Sequence, residues 1–169
     1  MFTQKVHYLG HIFSKEGIHP EPEKSAKIRD WSKREKGTKL ASFLSLCNYY
    51  RDLIPSFAHI SGPLYKIYKT TIVEWTPELT LSFGQFMQQL LLPRIVRIPD
   101  PTRDFILETG GNRYALSAVL KQRFDNTGLE HPVLFFSRSL TCSARNYVAY
   151  ELEMYAIVRA VEYFRVFLL

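Results

Sequence analysis

Apolar residues in the first half of the chain recur every three or four positions. Between Thr38, a plausible N-cap, and Pro55, polar residues such as Ser42 and Ser45 alternate with an apolar stripe. The stripe comprises Leu40, Phe43, Leu44, Cys47, Tyr50 and Ile54. This pattern predicts an amphipathic helix with one buried face, which Pro55 ends.

Three further helices are predicted around the first one. Pro22, with acids on both sides of it, indicates a helix over residues 22–31. Gly62 and Pro63 predict the start of a short helix over 64–68. The sequence Thr-Pro-Glu at 76–78 is typical of a cap, a first helical position and an early acid, so a helix to about residue 92 follows.

Strand-like patterns flank this helical region. Short apolar runs at 6–9 and 11–13 predict a small hairpin near the N-terminus. After Pro93 the apolar period changes, and three strands are predicted at 103–109, 114–122 and 131–137. A Gly-Gly turn ends the first of these strands, and residues 125–128 form the next turn. Together these patterns predict a three-stranded antiparallel meander.

The last predicted element is a long helix over residues 146–169, with an apolar stripe expected to lie on the meander. The stripe comprises Tyr147, Tyr150, Met154, Ile157, Val158, Val161 and Leu168. The order of elements predicts an α+β fold: a helical region with an N-terminal hairpin, then a meander with one long helix.

Composition narrows the class of protein. The 169 residues are 46% hydrophobic and 14% aromatic, enough for one sizeable core or two small ones. No apolar run approaches the roughly 18 residues of a membrane span, and no signal-peptide pattern opens the chain. We therefore expect an intracellular protein without a membrane partner. Cys47 and Cys142 lie in no paired spacing, and no two of the five histidines share a predicted helix as a ligand pair, so neither zinc nor a disulfide is expected.

Positive charge is concentrated in one segment. The formal net charge is +6, and residues 24–39 alone hold seven basic residues against two acids, a net +5. The basic residues are Lys24, Lys27, Arg29, Lys33, Arg34, Lys36 and Lys39. Such a segment can follow a phosphate backbone and release its counterions, with Trp31 available for stacking. On charge alone, an ordinary solvated helix face explains the segment equally well.

A series of short motifs then resembles one protein family. The chain resembles the Pol polyprotein of gypsy-class long-terminal-repeat retrotransposons over nearly its whole length, and the order and spacing of the motifs make the match specific. The motifs are Tyr8-Leu9-Gly10-His11, Ser42-Phe43-Leu44-Ser45-Leu46-Cys47-Asn48-Tyr49-Tyr50-Arg51, Pro63-Leu64-Tyr65, Trp75, His131-Pro132-Val133, Ser137-Arg138-Ser139-Leu140 and Ala156-Ile157-Val158.

The resemblance implies a domain order. Residues 1–92 would be the end of a reverse transcriptase palm and its helical thumb, and residues 93–169 an RNase H-like domain that stops after its first long helix. In this family the thumb helix lies against the template-primer duplex, which implies a nucleic-acid-facing role for Asn48, Tyr49 and Arg51. The polymerase carboxylates precede the first residue of this chain, so we expect no polymerase activity from it.

The resemblance also implies the loss of a nuclease centre. The family's first strand ends in Thr-Asp-Ala-Ser, and the matching residues here are Thr109, Gly110, Gly111 and Asn112. Gly110 therefore stands where the family has its metal-bridging aspartate, and Glu153 matches the glutamate of the following helix. A glycine offers no ligand atom, and one carboxylate does not hold two divalent ions against water. We expect neither Mg²⁺ binding nor cleavage of RNA/DNA hybrid.

Other acids are poor substitutes, and the predicted sheet has an open edge. Glu108 shares a strand face with Gly110 but lies about 6.6 Å along the strand from it. Asp104 is further away. With no later strand beside it, the strand at 103–109 would be a bare edge, which favours pairing with a protein partner or a second copy.

Three hypotheses follow from different classes of function. The leading one is a retrotransposon-derived, catalytically inactive fragment that binds nucleic acid or a protein. The alternative is a piece of a larger RNA-directed DNA polymerase and RNase H polyprotein that cleaves the RNA of hybrids. The third is a structural interaction module whose basic segment is incidental.

Overall fold

The computed structural model of this protein describes most of the chain, and the described residues form two compact units. The described residues are 5–8, 11–15, 17–21, 37–91, 96–124 and 128–169. The first unit comprises residues 1–50 and 60–95, and the second comprises 51–59 and 96–169. The helix predicted at 22–31 lies outside the described residues, as do residues 125–127 of the turn predicted at 125–128. No helix in the described ranges is long and apolar enough to cross a membrane.

The first unit opens with a small antiparallel sheet. Strands β1 (Lys5–Tyr8), β2 (His11–Ser14) and β3 (Gly17–Pro20) pair in that order. The predicted hairpin is confirmed, and β3 adds a strand that the sequence did not indicate. Gly17 has φ of 139°, a conformation that favours glycine, and the Ser14 hydroxyl donates to its carbonyl oxygen at 3.2 Å. This turn lets β3 return along β2.

The predicted amphipathic helix is confirmed as α1 (Gly37–Tyr49). Every residue of its predicted stripe is buried, from Leu40 to Ile54. Phe43 contacts Phe83 and Phe86 of a later helix, at ring-centroid distances of 4.7 and 6.1 Å. The helix begins at Gly37, one residue before the predicted cap, and it ends before Ile54, because Arg51–Leu53 form a 3-10 turn.

Two more helices follow, one of them longer than predicted. Helix α2 (Phe57–Ile67) starts seven residues before the predicted position and contains Gly62 and Pro63. An apolar stripe that includes Phe57, Ile60 and Leu64 is buried. Its burial outweighs the unfavourable helix propensity of Gly62 and Pro63. Helix α3 (Pro77–Leu91) is as predicted, and the Thr76 hydroxyl accepts a hydrogen bond from the Leu79 backbone N–H at 3.3 Å.

The second unit contains the predicted meander. Strands β4 (Ile106–Gly111), β5 (Ala115–Arg123) and β6 (Glu130–Ser139) are antiparallel, with β5 in the centre. The predicted Gly-Gly turn is wrong, because β4 continues through both glycines. The turn follows at Asn112, whose Oδ1 accepts hydrogen bonds from the backbone N–H groups of Tyr114 and Ala115 at 2.9 and 3.0 Å.

The predicted long helix is α4 (Ala149–Leu168), but its buried face is not the predicted one. Leu152, Ala156, Ala160 and Phe164 pack on the sheet, whereas all members of the predicted stripe except Leu168 are exposed. The small alanines allow a close approach to the strands: a Cβ added at Gly111 would lie 2.8 Å from the Leu152 carbonyl oxygen. The bulky residues therefore remain on the outer side of α4.

Candidate functional site

Gly110 lies on the sheet face opposite α4. Its neighbour Gly111 faces Leu152 of α4, and successive residues of a strand point to opposite faces. Gly110 pairs with Ser117 of β5. Among the described residues, a Cβ built at Gly110 would meet only the Ser117 hydroxyl within 4 Å, at 3.7 Å. The position lines a cavity of about 230 Å³ together with Glu108, Ser117 and Phe135. A side chain therefore fits at residue 110.

Glu153 lies on α4, directly after the residue that contacts Gly111. Its side chain is exposed and makes no hydrogen bond or ion pair within the described ranges. Glu153 stands on α4, whereas Gly110 faces away from this helix. The residues that the structure describes contain no group of three or more potential metal ligands. That Glu153 is a remnant of the family's nuclease centre stays a prediction.

Glu108 lies on the same face as Gly110, as predicted from strand alternation. Its carboxylate accepts a short hydrogen bond from Lys121 Nζ, which lies 3.5 Å from Glu130 Oε2. The hydrogen bond that Lys121 donates to Glu108 raises the pKa of Lys121, and the one that Arg123 donates to Glu130 lowers the pKa of Glu130. Glu108 is thus paired with a lysine on the neighbouring strand.

Arg51, predicted to face nucleic acid, makes contacts inside the second unit. Its Nη2 donates to the Ser137 carbonyl oxygen at 2.8 Å, and its guanidinium lies 5.6 Å from the Phe57 ring centroid. The Ser137 hydroxyl accepts from the Ala58 backbone N–H at 2.9 Å and lies 3.3 Å from the Leu116 carbonyl oxygen. These bonds fix residues 51–59 on β6.

A hydrogen bond to α4 fixes the same segment from its other side. Tyr163 OH donates to Asp52 Oδ1 at 2.7 Å, while the Tyr163 ring packs on Phe136 at a centroid distance of 4.9 Å. Burial and the bond to Asp52 raise the pKa of Tyr163. The contacts of Asp52, Ser137 and Tyr163 were not predicted, because their partners lie far away along the chain.

The exposed face of α1 holds three of the predicted nucleic-acid-binding residues: Lys39, Asn48 and Tyr49. Tyr49 stacks on His11 at a centroid distance of 5.2 Å with an interplanar angle of 28°. Tyr50 points inward as predicted, and burial raises its pKa to about 12. His11 belongs to the motif Tyr8-Leu9-Gly10-His11, and its contact with Tyr49 was not predicted. The remaining basic residues, Lys24, Lys27, Arg29, Lys33, Arg34 and Lys36, lie outside the described residues.

The sequence matches a known family over more than half of its length. The model of the RNase H-like domain found in reverse transcriptase matches residues 75–169. The chain belongs to this family. It is also 34% identical to the Pol polyprotein of transposon 297 and 32% identical to that of transposon 412, both from Drosophila melanogaster. These matches cover 98% and 97% of this chain but only 15% and 13% of the relatives. The resemblance to retrotransposon Pol polyproteins is thereby confirmed.

Solved structures show the same fold. A foamy viral protease-reverse transcriptase in complex with double-stranded DNA matches with a TM-score of 0.80 and 20% identity, over 95% of this chain and 28% of that chain. The enzyme in complex with RNA/DNA hybrid matches with a TM-score of 0.79 and 20% identity, over 97% and 22%. The predicted α+β fold of this RNase H-like chain is confirmed.

Proposed function

We propose that this RNase H-like chain binds RNA/DNA hybrid or a related duplex without cleaving it. The observation that carries the proposal is Gly110: it stands where the family resemblance implies a metal-bridging aspartate. The Ser117 hydroxyl is the one described group within 4 Å of a Cβ built there. A side chain has room at residue 110, so glycine there removes a ligand group and is not required by packing.

The surrounding acids support the absence of cleavage. Two-metal hydrolysis needs several carboxylates converging on ions a few Å apart. Glu108 is held by Lys121, and Glu153 stands on the helix that Gly110 faces away from. We therefore expect neither acid to replace the missing ligand.

Two features support nucleic-acid binding. The exposed surface of α1 carries a lysine near its start, and an amide and an aromatic ring at its end. Groups of these kinds contact phosphates and stack on bases. Residues 24–39 add a net charge of +5, so long-range attraction of a polyanion is expected. The foamy viral relatives of the same fold were solved with bound DNA or hybrid.

The cleavage half of the proposal is tested with purified chain and hybrid labelled in its RNA strand, in Mg²⁺ and in Mn²⁺. We expect intact RNA from the native chain and from Gly110→Asp. Cleavage by the native chain that disappears in Glu153→Gln would contradict the proposal and favour the alternative, a working RNase H piece of a larger polyprotein.

The binding half is tested by hybrid affinity with matched variants in the first unit. Tyr49→Ala and Lys39→Ala are each expected to weaken binding roughly 5-fold or more, the scale of about 1 kcal/mol for a stacking or phosphate contact. Tyr65→Ala and Lys66→Ala remove an exposed tyrosine and lysine from α2, and we expect them to leave affinity unchanged. If the α1 variants and the α2 variants lose affinity equally, or if the native chain does not bind hybrid at low salt, a protein-interaction module would be favoured.

A protein partner at the sheet edge is a second candidate, favoured by one observation. In the described sheet β4 pairs only with β5, so its outer side is open. Asn112 N–H donates a hydrogen bond to the Ala115 carbonyl oxygen, toward β5. Because the N–H groups of an antiparallel strand point alternately to its two sides, those of Leu107 and Thr109 point away from β5. Thr109→Pro removes one outward donor, and loss of a partner with that variant would identify edge pairing.

A further inference from the structure

Residues 51–59 belong to the second unit, although the residues before and after them in the chain belong to the first. Two elements of the second unit hold this segment. The Ser137 hydroxyl of β6 accepts a hydrogen bond from the Ala58 backbone N–H at 2.9 Å. Tyr163 of α4 donates to Asp52 at 2.7 Å. Segment 51–59 is therefore fixed near both of its ends by partners far away along the chain.

The backbone between these two anchors is strained. Ser56 has a φ of 53°, in the left-handed region that residues other than glycine, asparagine and aspartate rarely adopt. A strained conformation of this kind persists only where the surrounding contacts hold it. The bonds to β6 and α4 therefore impose the docked conformation of segment 51–59, which is not the preference of its own residues.

Arg51 takes part in this anchoring. Its Nη2 donates to the Ser137 carbonyl oxygen at 2.8 Å, its guanidinium carbon lies 5.6 Å from the Phe57 ring centroid, and its Nε lies 3.9 Å from Asp52 Oδ1. The guanidinium thus has a carbonyl oxygen, an aromatic ring and a carboxylate as neighbours. A phosphate bound to Arg51 in this position would also lie close to the negative charge of Asp52, which is unfavourable.

Two of the proposed nucleic-acid-binding residues, Asn48 and Tyr49, stand immediately before this segment. Helix α1 ends at Tyr49, and the 3-10 turn begins at Arg51, two residues later. A backbone hydrogen bond from Tyr50 N–H to the Cys47 carbonyl oxygen, at 3.0 Å, closes the last turn at this junction. Hydrogen-bonded backbone therefore connects the two binding residues directly to the anchored segment.

We infer that Arg51 is a positioning residue for nucleic-acid binding: it anchors segment 51–59 to β6 and acts on the duplex through Asn48 and Tyr49, without a phosphate contact of its own. A contact that stabilises the binding conformation raises affinity without touching the ligand. The inference rests on the proposed function, because it concerns the same binding residues of α1. It gives Arg51 a different role from the one that the family resemblance implies, and it gives Tyr163 of α4 an indirect effect on binding.

The salt dependence of hybrid binding distinguishes an anchor from a phosphate contact. Each lost phosphate contact flattens the slope of log K against log salt by about 0.7–0.9, whereas the loss of an anchor lowers affinity and leaves the slope unchanged. We expect Arg51→Met to weaken binding roughly 5-fold with the native slope. Lys39→Met, at a proposed phosphate contact on α1, should flatten the slope, and Lys66→Met, on α2, should change neither quantity.

The second test loosens the other anchor without changing the charge. Tyr163→Phe removes only the hydroxyl that donates to Asp52, and we expect roughly 5-fold weaker binding with the native slope. Tyr150→Phe removes the hydroxyl of an exposed tyrosine on the same helix and should leave affinity unchanged. Hydrogen exchange of the Ala58 amide should be faster in Arg51→Met and Tyr163→Phe than in the native chain. Circular dichroism checks that both variants are folded, and Tyr163→Phe decides if Arg51→Met is not.

Two results would overturn the inference. One is a slope that Arg51→Met flattens as much as Lys39→Met does, which would make Arg51 a phosphate contact. The other is native affinity in folded Arg51→Met or in Tyr163→Phe, which would show that segment 51–59 does not influence binding. Either result leaves the proposed function standing as long as Tyr49→Ala still weakens binding. If the native chain does not bind hybrid, or Tyr49→Ala binds it equally well, the proposed function fails and the inference fails with it.

Discussion

At the scale of single residues, two adjacent glycines are present for different physical reasons. Gly111 is required by packing, because the Leu152 carbonyl of α4 occupies the space where a Cβ would stand. Gly110 has no such restriction, since its nearest neighbour would be at ordinary van der Waals distance. Gly111 lets the helix approach the sheet closely, whereas Gly110 stands where a side chain has room.

This difference predicts opposite responses to the same substitution. Gly111→Ala should lower the free energy of unfolding by about 1–3 kcal/mol, the usual cost of overpacking against a rigid backbone. Gly110→Ala should be neutral or slightly stabilising, because alanine restricts the unfolded chain and fits the strand. Urea unfolding of both variants measures the difference. Equal destabilisation by the two alanines would show that the close approach of α4 does not constrain Gly111.

At the scale of elements, the sequence predicted those helix faces on which large apolar residues recur at helical spacing and are buried. The stripe of α1 was found because its members are large, apolar and fully buried. The stripe of α4 was misplaced because Ala156 and Ala160, the residues closest to the sheet, are small and carry little hydrophobic signal. The bond from Arg51 to Ser137 joins residues 86 positions apart, so no local pattern indicates it.

A buried side-chain amide joins the loop at 100–103 to the central strand β5, and we expect its removal to lower the stability of the fold. Gln122 of β5 is fully buried; its Oε1 accepts from Asp100 N–H at 2.9 Å, and its Nε2 donates to the carbonyl oxygens of Asp100 and Arg103 at 2.8 and 3.0 Å. Gln122→Leu would leave these backbone groups unpaired and should cost about 2–3 kcal/mol of unfolding free energy.

Thermal and urea unfolding measure this loss. Gln88→Leu, an exposed position on α3, is the matched control and should change stability by less than about 0.5 kcal/mol. A Gln122→Leu protein as stable as the native chain would mean that the loop at 100–103 is held by its other contacts. Those contacts include the bonds from Thr102 and Arg103 that lower the pKa of Asp100.

At the scale of the whole molecule, charge is distributed very unevenly. The net charge of +6 is almost entirely that of residues 24–39, and the described β4–β6 sheet pairs Glu108 and Glu130 with Lys121 and Arg123. Two origins of nucleic-acid attraction are therefore distinguishable. If overall charge alone drives binding, removing any two lysines or arginines weakens binding equally. If residues 24–39 bind phosphates, removing two of their basic residues weakens binding more than removing two others.

Salt titration of hybrid binding separates these origins. Lys33→Gln/Arg34→Gln and Lys66→Gln/Lys69→Gln lower the net charge by the same amount, but only the first pair lies in the basic segment. Each lost phosphate contact reduces the slope of log K against log salt by about 0.7–0.9, so the first double variant should flatten the slope by about 1.5. The second should retain the native slope, because its lysines lie outside that segment. Equal slopes for the two double variants would assign binding to net charge and leave residues 24–39 without a specific role.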